Sequence, residues 1–220
     1  MMIDCITLDN LNLKAFVGTP FDGVPSEVFN TAVSFRKGAS YLVEAGSGRG
    51  KSSFCSFLCG LRSDYTGSIK FENNGAEVCV RSKDDFAGLR RFALAVMFQD
   101  CRLFPELTAV ENVMLKSRLT GFLNDAEARE MLARLGLGAL LDTPCANLSL
   151  GQQQRVAFVR ALAQPCDFII LDEPISHLDD VNAAIVAQIL RERQQKDNIG
   201  VIVTSIGYRL PYEYDEVLKM

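Results

Sequence analysis

Residues 45–52 of the chain read Ala45-Gly46-Ser47-Gly48-Arg49-Gly50-Lys51-Ser52. This order fits [AG]-x-x-x-x-G-K-[ST], the pattern of a P-loop, in which consecutive backbone N–H groups surround a polyphosphate. A short apolar strand is predicted before it at residues 39–43, and a helix after it at residues 53–59, so the strand, loop and helix order that the motif requires is present. The stretch therefore predicts a phosphate-binding site. A glycine-rich turn that binds nothing is the alternative.

Each residue type in this stretch has a chemical use. The glycines let the backbone curl, and the N-terminal end of the following helix attracts anions. Lys51 can reach terminal phosphates as a point charge, and the Ser52 hydroxyl is placed to ligate Mg²⁺. The predicted nucleotide-binding residues here are Ala45, Gly46, Ser47, Gly48, Arg49, Gly50, Lys51, Ser52 and Ser53.

Length and composition narrow the class of protein. A chain of 220 residues suits one domain with a substantial core. Its net charge of -4 argues against broad nucleic-acid affinity, which depends on clustered lysine and arginine, so no nucleic-acid partner is expected. Apolar runs fall short of the roughly 20 residues that span a bilayer, and the first residues do not resemble a signal peptide. We therefore expect a cytosolic chain.

Hydrophobic periodicity predicts an α/β fold. Alternating residues predict a half-exposed strand at residues 6–13 and a second strand at 28–35, and Asn73-Asn74-Gly75 predicts a hairpin turn, so an antiparallel β ribbon is expected beside the P-loop unit. From residue 39 onward strands and helices alternate, which indicates a mainly parallel sheet with helices on both faces. The other predicted strands are 93–98, 168–171 and 201–203. Helical periodicity runs from 108 to 136, with plausible N-caps at Thr108 and at Asn124 or Asp125 and an apolar face over 127–135; further helices are predicted from 149 and at 181–193.

Two acidic residues follow one of the buried strands. Asp172 and Glu173 come directly after the apolar residues 168–171. Asp172 can hold a Mg²⁺-bound water, and Glu173 can orient or deprotonate an attacking water. Solvated acids at a strand end are the alternative interpretation, but beside a P-loop the pair favours nucleotide hydrolysis.

These motifs together resemble the nucleotide-binding subunits of ATP-binding cassette (ABC) ATPases. The resemblance covers essentially the whole chain. The segment Leu148-Ser149-Leu150-Gly151-Gln152 is close to the family signature Leu-Ser-Gly-Gly-Gln, which separates this family from other P-loop proteins. The further motifs, in the family's order, are the P-loop at 45–52, Gln99 after an apolar strand, the strand ending at Asp172-Glu173, and Ser176-His177-Leu178-Asp179.

The resemblance implies a single ABC ATPase domain over residues 1–220. No C-terminal regulatory domain is expected within these residues. It implies an antiparallel β ribbon at about 3–38 and 66–80 and a helical insertion at about 101–163. The P-loop core is then expected at about 39–65, 81–100 and 164–220.

The resemblance also implies a head-to-tail pair of cassettes, with each ATP and its Mg²⁺ between the P-loop of one copy and the signature of the other. Ser149, Gly151, Gln152 and Asp179 would meet the nucleotide at this seam, and Gln99 would sense the γ-phosphate and Mg²⁺. Alternatively, Asp179 is a plain helix N-cap. Phe16 would stack on adenine, with Phe21 as the alternative, although either ring could belong to the core.

Three residues depart from the family pattern. Ala45 replaces a glycine, which has a cost only where the backbone needs a positive φ. Leu150 adds bulk in the signature. Ser205 stands where the family has a switch histidine, so hydrolysis could be slow. The predicted catalytic residues are Lys51, Gln99, Glu173 and Ser205, and the predicted Mg²⁺ site comprises Ser52, Gln99 and Asp172.

Family members of this length usually drive integral-membrane permease subunits that are separate chains. Residues 104–113 resemble importers and the lipoprotein-release and macrolide-export type, in which this segment and Gln99 form a groove for a cytoplasmic helix of the permease. The chain is then expected to be peripheral on the cytoplasmic face of the inner membrane. The alternatives are a soluble ABC ATPase, for example of the iron-sulfur assembly type, and a nucleotide-gated subunit with weak hydrolysis.

Overall fold

The fold is described from a computed structural model over residues 2–19 and 23–220, so Phe21 lies outside the described residues. The strands are β1 (Cys5–Leu13), β2 (Ala32–Arg36), β3 (Ser40–Glu44), β4 (Tyr65–Asn73), β5 (Ala76–Val78), β6 (Leu94–Met97), β7 (Phe168–Asp172), β8 (Gly200–Ser205) and β9 (Glu216–Lys219). The helices are α1 (Lys51–Leu58), α2 (Lys83–Phe92), α3 (Ala109–Ser117), α4 (Asp125–Arg134), α5 (Leu150–Leu162) and α6 (Asp180–Asp197). Short 3-10 turns lie at Lys14–Phe16, Gly138–Leu140 and Cys145–Asn147. Among these described residues, no helix is both long enough and apolar enough to cross a lipid bilayer.

The antiparallel sheet has the strand order β2-β1-β4-β5. Asn74 and Gly75 both have positive φ in the turn between β4 and β5, as the hairpin prediction requires. The predicted strand at 28–35 was wrong at its start, because β2 begins only at Ala32. Asn30 adopts a φ of 55°, which interrupts an extended backbone, and its N–H donates to the Leu11 carbonyl.

The parallel sheet has the strand order β6-β7-β8-β3-β9, and each neighbouring pair in it is parallel. The carboxyl ends of parallel strands lie at the same edge of a sheet, where open α/β folds bind ligands. This edge therefore brings together the P-loop after β3, Gln99 after β6, Asp172 at the end of β7 and Ser205 at the end of β8.

Helices cover both faces of the parallel sheet, which confirms the predicted α/β class. Every residue of β7 is buried, as expected for a strand covered on both sides. Phe168 and Ile170 pack with α1 and the antiparallel sheet, whereas Ile169 and Leu171 pack with α5 and α6. Each fully buried side chain of this size contributes about 1.5 to 3 kcal/mol. The two cores fix the edge of the sheet that carries the motifs.

Sequence analysis missed two elements, α2 and β9. Helix α2 is largely polar and buries only Leu89, so few apolar residues mark it in the sequence. Its start was nevertheless readable, because Ser82 and Asp85 form a capping box. Strand β9 is a mostly exposed edge strand paired with β3. Helix α6 begins and ends beyond the predicted bounds, at Asp180 and Asp197.

Candidate functional site

A cleft of about 380 Å³ lies over the P-loop, at the edge where the parallel strands end. It is lined by Leu13, Ala15, Phe16, Ser47, Gly48, Gly50, Lys51, Ser52, Ser53, Arg62, Gln99, Glu173 and Ile206. Most of the residues predicted to bind nucleotide from the P-loop are in this set. Arg49 instead lines a small neighbouring cavity that Phe16 shares.

The backbone of the P-loop has the conformation that its glycines permit. Gly48 and Gly50 have φ of 74° and 95°, values that residues with a side chain rarely adopt. Gly50 is the N-cap of α1, so the free N–H groups of that helix face the loop. Ala45 has no positive φ, and the alanine is therefore accommodated without backbone strain.

Lys51 is buried and is held by the loop that precedes it. Its Nζ donates to the carbonyl oxygens of Ala45 at 3.0 Å and Gly46 at 2.9 Å. The same Nζ lies 3.3 Å from Oε1 of Glu173, and both side chains are at least 94% buried, with 4% and 6% exposed. An ammonium group is thus fixed at the floor of the cleft, where it can meet a phosphate.

Glu173 is held at its backbone and at its side chain. Its φ is 49°, in the left-handed region that is uncommon for a residue other than glycine. Oε2 accepts a hydrogen bond of 3.1 Å from Nε2 of Gln99, while Oε1 faces Lys51. The carboxylate therefore points into the cleft, where it can accept a proton from a bound water.

Asp172 has one satisfied and one unsatisfied carboxylate oxygen. Oδ1 accepts a hydrogen bond of 2.7 Å from Oγ1 of Thr204. Oδ2 is buried and has no hydrogen-bond partner among the described residues. A buried, unpaired carboxylate oxygen is costly unless a cation or its water satisfies it. Asp172 is buried and does not itself line the cleft, but its unpaired oxygen fits the predicted Mg²⁺ site, to which the cleft contributes the Ser52 hydroxyl and the Gln99 amide oxygen.

Phe16 and Arg62 also line the cleft. Phe16 makes an edge-to-face contact with Phe29, with ring centroids 6.4 Å apart, and still lines the cleft. Arg62 donates to the Ser53 hydroxyl at 2.7 Å and pairs with Asp64. Sequence analysis did not select Arg62, since no motif marks it. Its location after the P-loop helix was the one available signal.

The predicted signature residues do not line this cleft. Ser149 is the N-cap of α5 and forms a capping box with Gln152, and both of its bonds stay within the turn. Leu150 is 62% exposed. A Cβ on Gly151 would come within 2.5 Å of the His177 carbonyl oxygen, so glycine is required by this close approach. The signature turn is therefore packed against residues 176–179 and away from the P-loop of the same chain.

Asp179 is the N-cap of α6. Its Oδ1 accepts a hydrogen bond of 2.8 Å from the Asn182 backbone N–H. The hydrogen bonds from the Asn182 backbone and side chain hold the pKa of Asp179 below its usual value. This is the capping role that sequence analysis had given as the alternative, and it leaves the carboxylate exposed at the helix start.

Ser205 is buried beside the cleft rather than in it. Its Oγ donates to the Tyr208 carbonyl at 2.7 Å and accepts from the Gly207 N–H at 3.0 Å. These bonds hold the turn that follows β8. Together with Glu173, Ser205 lines an adjoining cavity of about 80 Å³.

The ABC transporter family matches residues 28–176 of this sequence, and the chain belongs to that family. It is 35% identical to an uncharacterized ABC transporter ATP-binding protein of Mycobacterium tuberculosis, over 98% of this chain and 64% of that protein. It is 31% identical to the lipoprotein-releasing system ATP-binding protein LolD of Novosphingobium aromaticivorans, over 86% of this chain and 84% of that protein.

Solved structures share the fold. The dimeric bacterial ABC transporter cassette MJ0796 aligns with a TM-score of 0.76 and 26% identity, over 91% of this chain and 87% of that chain. A dimeric post-hydrolysis state of the same cassette, bound to ADP and Pi, aligns with a TM-score of 0.73. The chain is thus an ABC transporter ATP-binding cassette. It spans somewhat less than two thirds of the length of its mycobacterial relative.

Proposed function

We propose that this chain binds and hydrolyses ATP and thereby drives separate membrane subunits of an ABC transporter. The observation that carries the proposal is the meeting of Lys51, Ser52, Gln99 and Glu173 in one cleft. The family membership and the resemblance to a cassette solved with ADP and Pi support it.

The proposed chemistry divides between the P-loop and the two acids. The loop N–H groups and Lys51 bind the β- and γ-phosphates and stabilise the charge that develops on them. Glu173 orients the attacking water and accepts its proton. Ser52, Gln99 and Asp172 would hold Mg²⁺, which would supply positive charge to neutralise the phosphates. Phe16, which lines the cleft, stacks on the adenine.

The second half of the site comes from a second cassette. Ser149, Gly151, Gln152 and Asp179 lie outside the cleft of their own chain, and the N-terminus of α5 offers N–H groups to an anion. In a head-to-tail pair these residues would meet the ATP held by the other copy. The dimeric cassette MJ0796 supports this arrangement.

We propose that a membrane partner docks beside α3. The chain would then lie on the cytoplasmic face of the inner membrane, held there by that partner. A cleft of about 240 Å³ between the ends of α2 and α3 is lined by Arg90, Arg91, Lys116 and Leu119. Phe104, at the start of the predicted docking segment, is 54% exposed. The names of two relatives, LolD and the macrolide export protein MacB of Bartonella quintana, support a transporter rather than a soluble role.

Steady-state ATPase assays of the wild type, Glu173→Gln and Ser205→His test the proposed activity. We expect turnover by the wild type and a loss of about 100-fold or more in Glu173→Gln, because the amide cannot accept a proton. Wild type without turnover, together with activity in Ser205→His, would favour the nucleotide-gated alternative. The proposal would be refuted if the wild type and Ser205→His both lacked ATPase activity and neither bound ATP.

A further inference from the structure

We propose that Thr204 is a positioning residue that assigns different roles to Asp172 and Glu173. It would leave one oxygen of Asp172 for the cation and hold the backbone of Glu173 so that its carboxylate reaches the cleft. The inference rests on the proposed ATPase function and adds a residue from β8 to that site.

Thr204 contacts both acidic residues through a single oxygen atom. In the parallel pairing of β7 and β8, Thr204 lies opposite Asp172. Its Oγ1 donates to Oδ1 of Asp172 at 2.7 Å and accepts from the N–H of Glu173 at 3.2 Å. The side chain is completely buried. Water therefore does not replace either bond, and the hydroxyl alone determines them.

The first bond decides which oxygen of Asp172 is available. A hydroxyl has one proton, and here that proton is committed to Oδ1. Oδ2 is the buried oxygen that lacks a hydrogen-bond partner among the described residues. A carboxylate held by one oxygen cannot rotate freely, so Thr204 fixes the direction in which Oδ2 faces a divalent cation or its water.

The second bond helps to keep Glu173 in its uncommon backbone conformation. The Glu173 N–H is shared between the hydroxyl and the carbonyl of Thr204, at 3.2 and 3.3 Å. On the other side, the Glu173 carbonyl accepts a hydrogen bond of 3.0 Å from Nε2 of Gln154. A φ of 49° at a glutamate costs free energy and persists only where its surroundings hold it. Thr204 and Gln154 provide that restraint.

The test compares Thr204→Val, which keeps the shape and removes the hydroxyl, with Thr204→Ser, which keeps the hydroxyl. The affinity for a fluorescent ATP analogue is measured across a Mg²⁺ titration and in EDTA, and kcat and KM are measured alongside. For Thr204→Val we expect the Mg²⁺ concentration for half-maximal effect to rise about tenfold or more and kcat to fall by a similar factor. Affinity in EDTA should stay near the wild-type value, and Thr204→Ser should restore the Mg²⁺ response.

Thr7→Val is the matched control. Thr7 also lies in a strand, and its hydroxyl also donates to a carboxylate, that of Glu72, but it lies in the antiparallel sheet and its second partner is the Ser34 hydroxyl. Its Mg²⁺ dependence should be that of the wild type. Should Thr204→Val fail to fold, Thr204→Cys takes its place, because a thiol is a weak donor, and the same direction of change is expected.

Two results overturn the inference and leave the proposed function standing. One is a folded Thr204→Val or Thr204→Cys with the wild-type Mg²⁺ dependence. The other is an equal loss of affinity with and without Mg²⁺, which indicates a general disturbance. A wild-type chain that binds no ATP at any Mg²⁺ concentration would instead refute the proposed function itself.

Discussion

The P-loop cleft and the signature turn, two regions that the proposed site combines, are built in different ways. In the cleft, Lys51 and Glu173 are buried and satisfy each other and the surrounding backbone. In the signature, Ser149 and Leu150 are exposed, and the hydrogen bonds of Ser149 stay within its own turn. The cleft is thus a preorganised pocket formed within one chain. The signature turn is instead an exposed surface, as expected for a part that contacts the nucleotide of a second copy.

The largest effect is expected from Lys51→Met, which disrupts the P-loop cleft and leaves the signature turn intact. The substitution removes the ammonium group that meets the phosphates, so ATP turnover should fall by about 100-fold or more. A fluorescent ATP analogue and a phosphate-release assay measure this. Lys37→Met is the control, because Lys37 forms an ion pair with the buried carboxylate of Asp167 away from the cleft. Lys37→Met should retain ATP binding, and equal losses in both variants would contradict the assignment of the cleft.

A smaller and more selective effect is expected from Ser149→Asp. Aspartate is also a good N-cap, so α5 should keep its stability. The new charge would repel the phosphates held by a second copy, so ATP-dependent pairing and turnover should fall by about tenfold or more. Binding of ATP to a single chain should be unchanged. Size-exclusion chromatography with light scattering, in a Glu173→Gln background, measures the pairing.

Ser82→Asp serves as the comparison for this experiment. Ser82 is the N-cap of α2 and has the same type of capping box, at a helix with no part in the proposed pairing. ATP-dependent pairing should survive in Ser82→Asp. If both exchanges abolish pairing, or if neither does, the signature has no special role in it.

The smallest effect concerns the support of the signature turn. Gly151→Ala places a Cβ within 2.5 Å of the His177 carbonyl oxygen, a backbone atom that cannot easily move. The free energy of unfolding should fall by about 1 to 3 kcal/mol in urea titrations. In Gly88→Ala the added Cβ meets no atom within 4 Å, so helix α2 should gain about 0.5 to 1 kcal/mol. Equal effects at the two glycines would show that the turn is not packed as described.

The motifs were predictable from the sequence because each depends on a few adjacent residues. The P-loop, Gln99 and the Asp172-Glu173 pair follow apolar strands, and parallel strands carry such residues to one edge. Helix α2 and strand β9 were not predicted, because α2 is largely polar with one buried residue and β9 is a mostly exposed edge strand.

The contacts between motifs were not predictable. The bond between Thr204 and Asp172 depends on the register of β7 against β8, which a single sequence does not specify. The left-handed backbone of Glu173 and the close approach of Gly151 to His177 likewise arise from tertiary packing. The hydrogen bonds of Ser205 to the turn that follows β8 likewise depend on tertiary structure and were not predicted.

The ion pair between Lys51 and Glu173 has a consequence for the order of events in the cleft. While the two groups are paired, Lys51 occupies the side of Oε1 of Glu173 that would otherwise be open to a water. A polyphosphate that draws Lys51 away releases Glu173 at the same moment. The ion pair therefore implies an order of events in which Glu173 activates a water only after the nucleotide has bound.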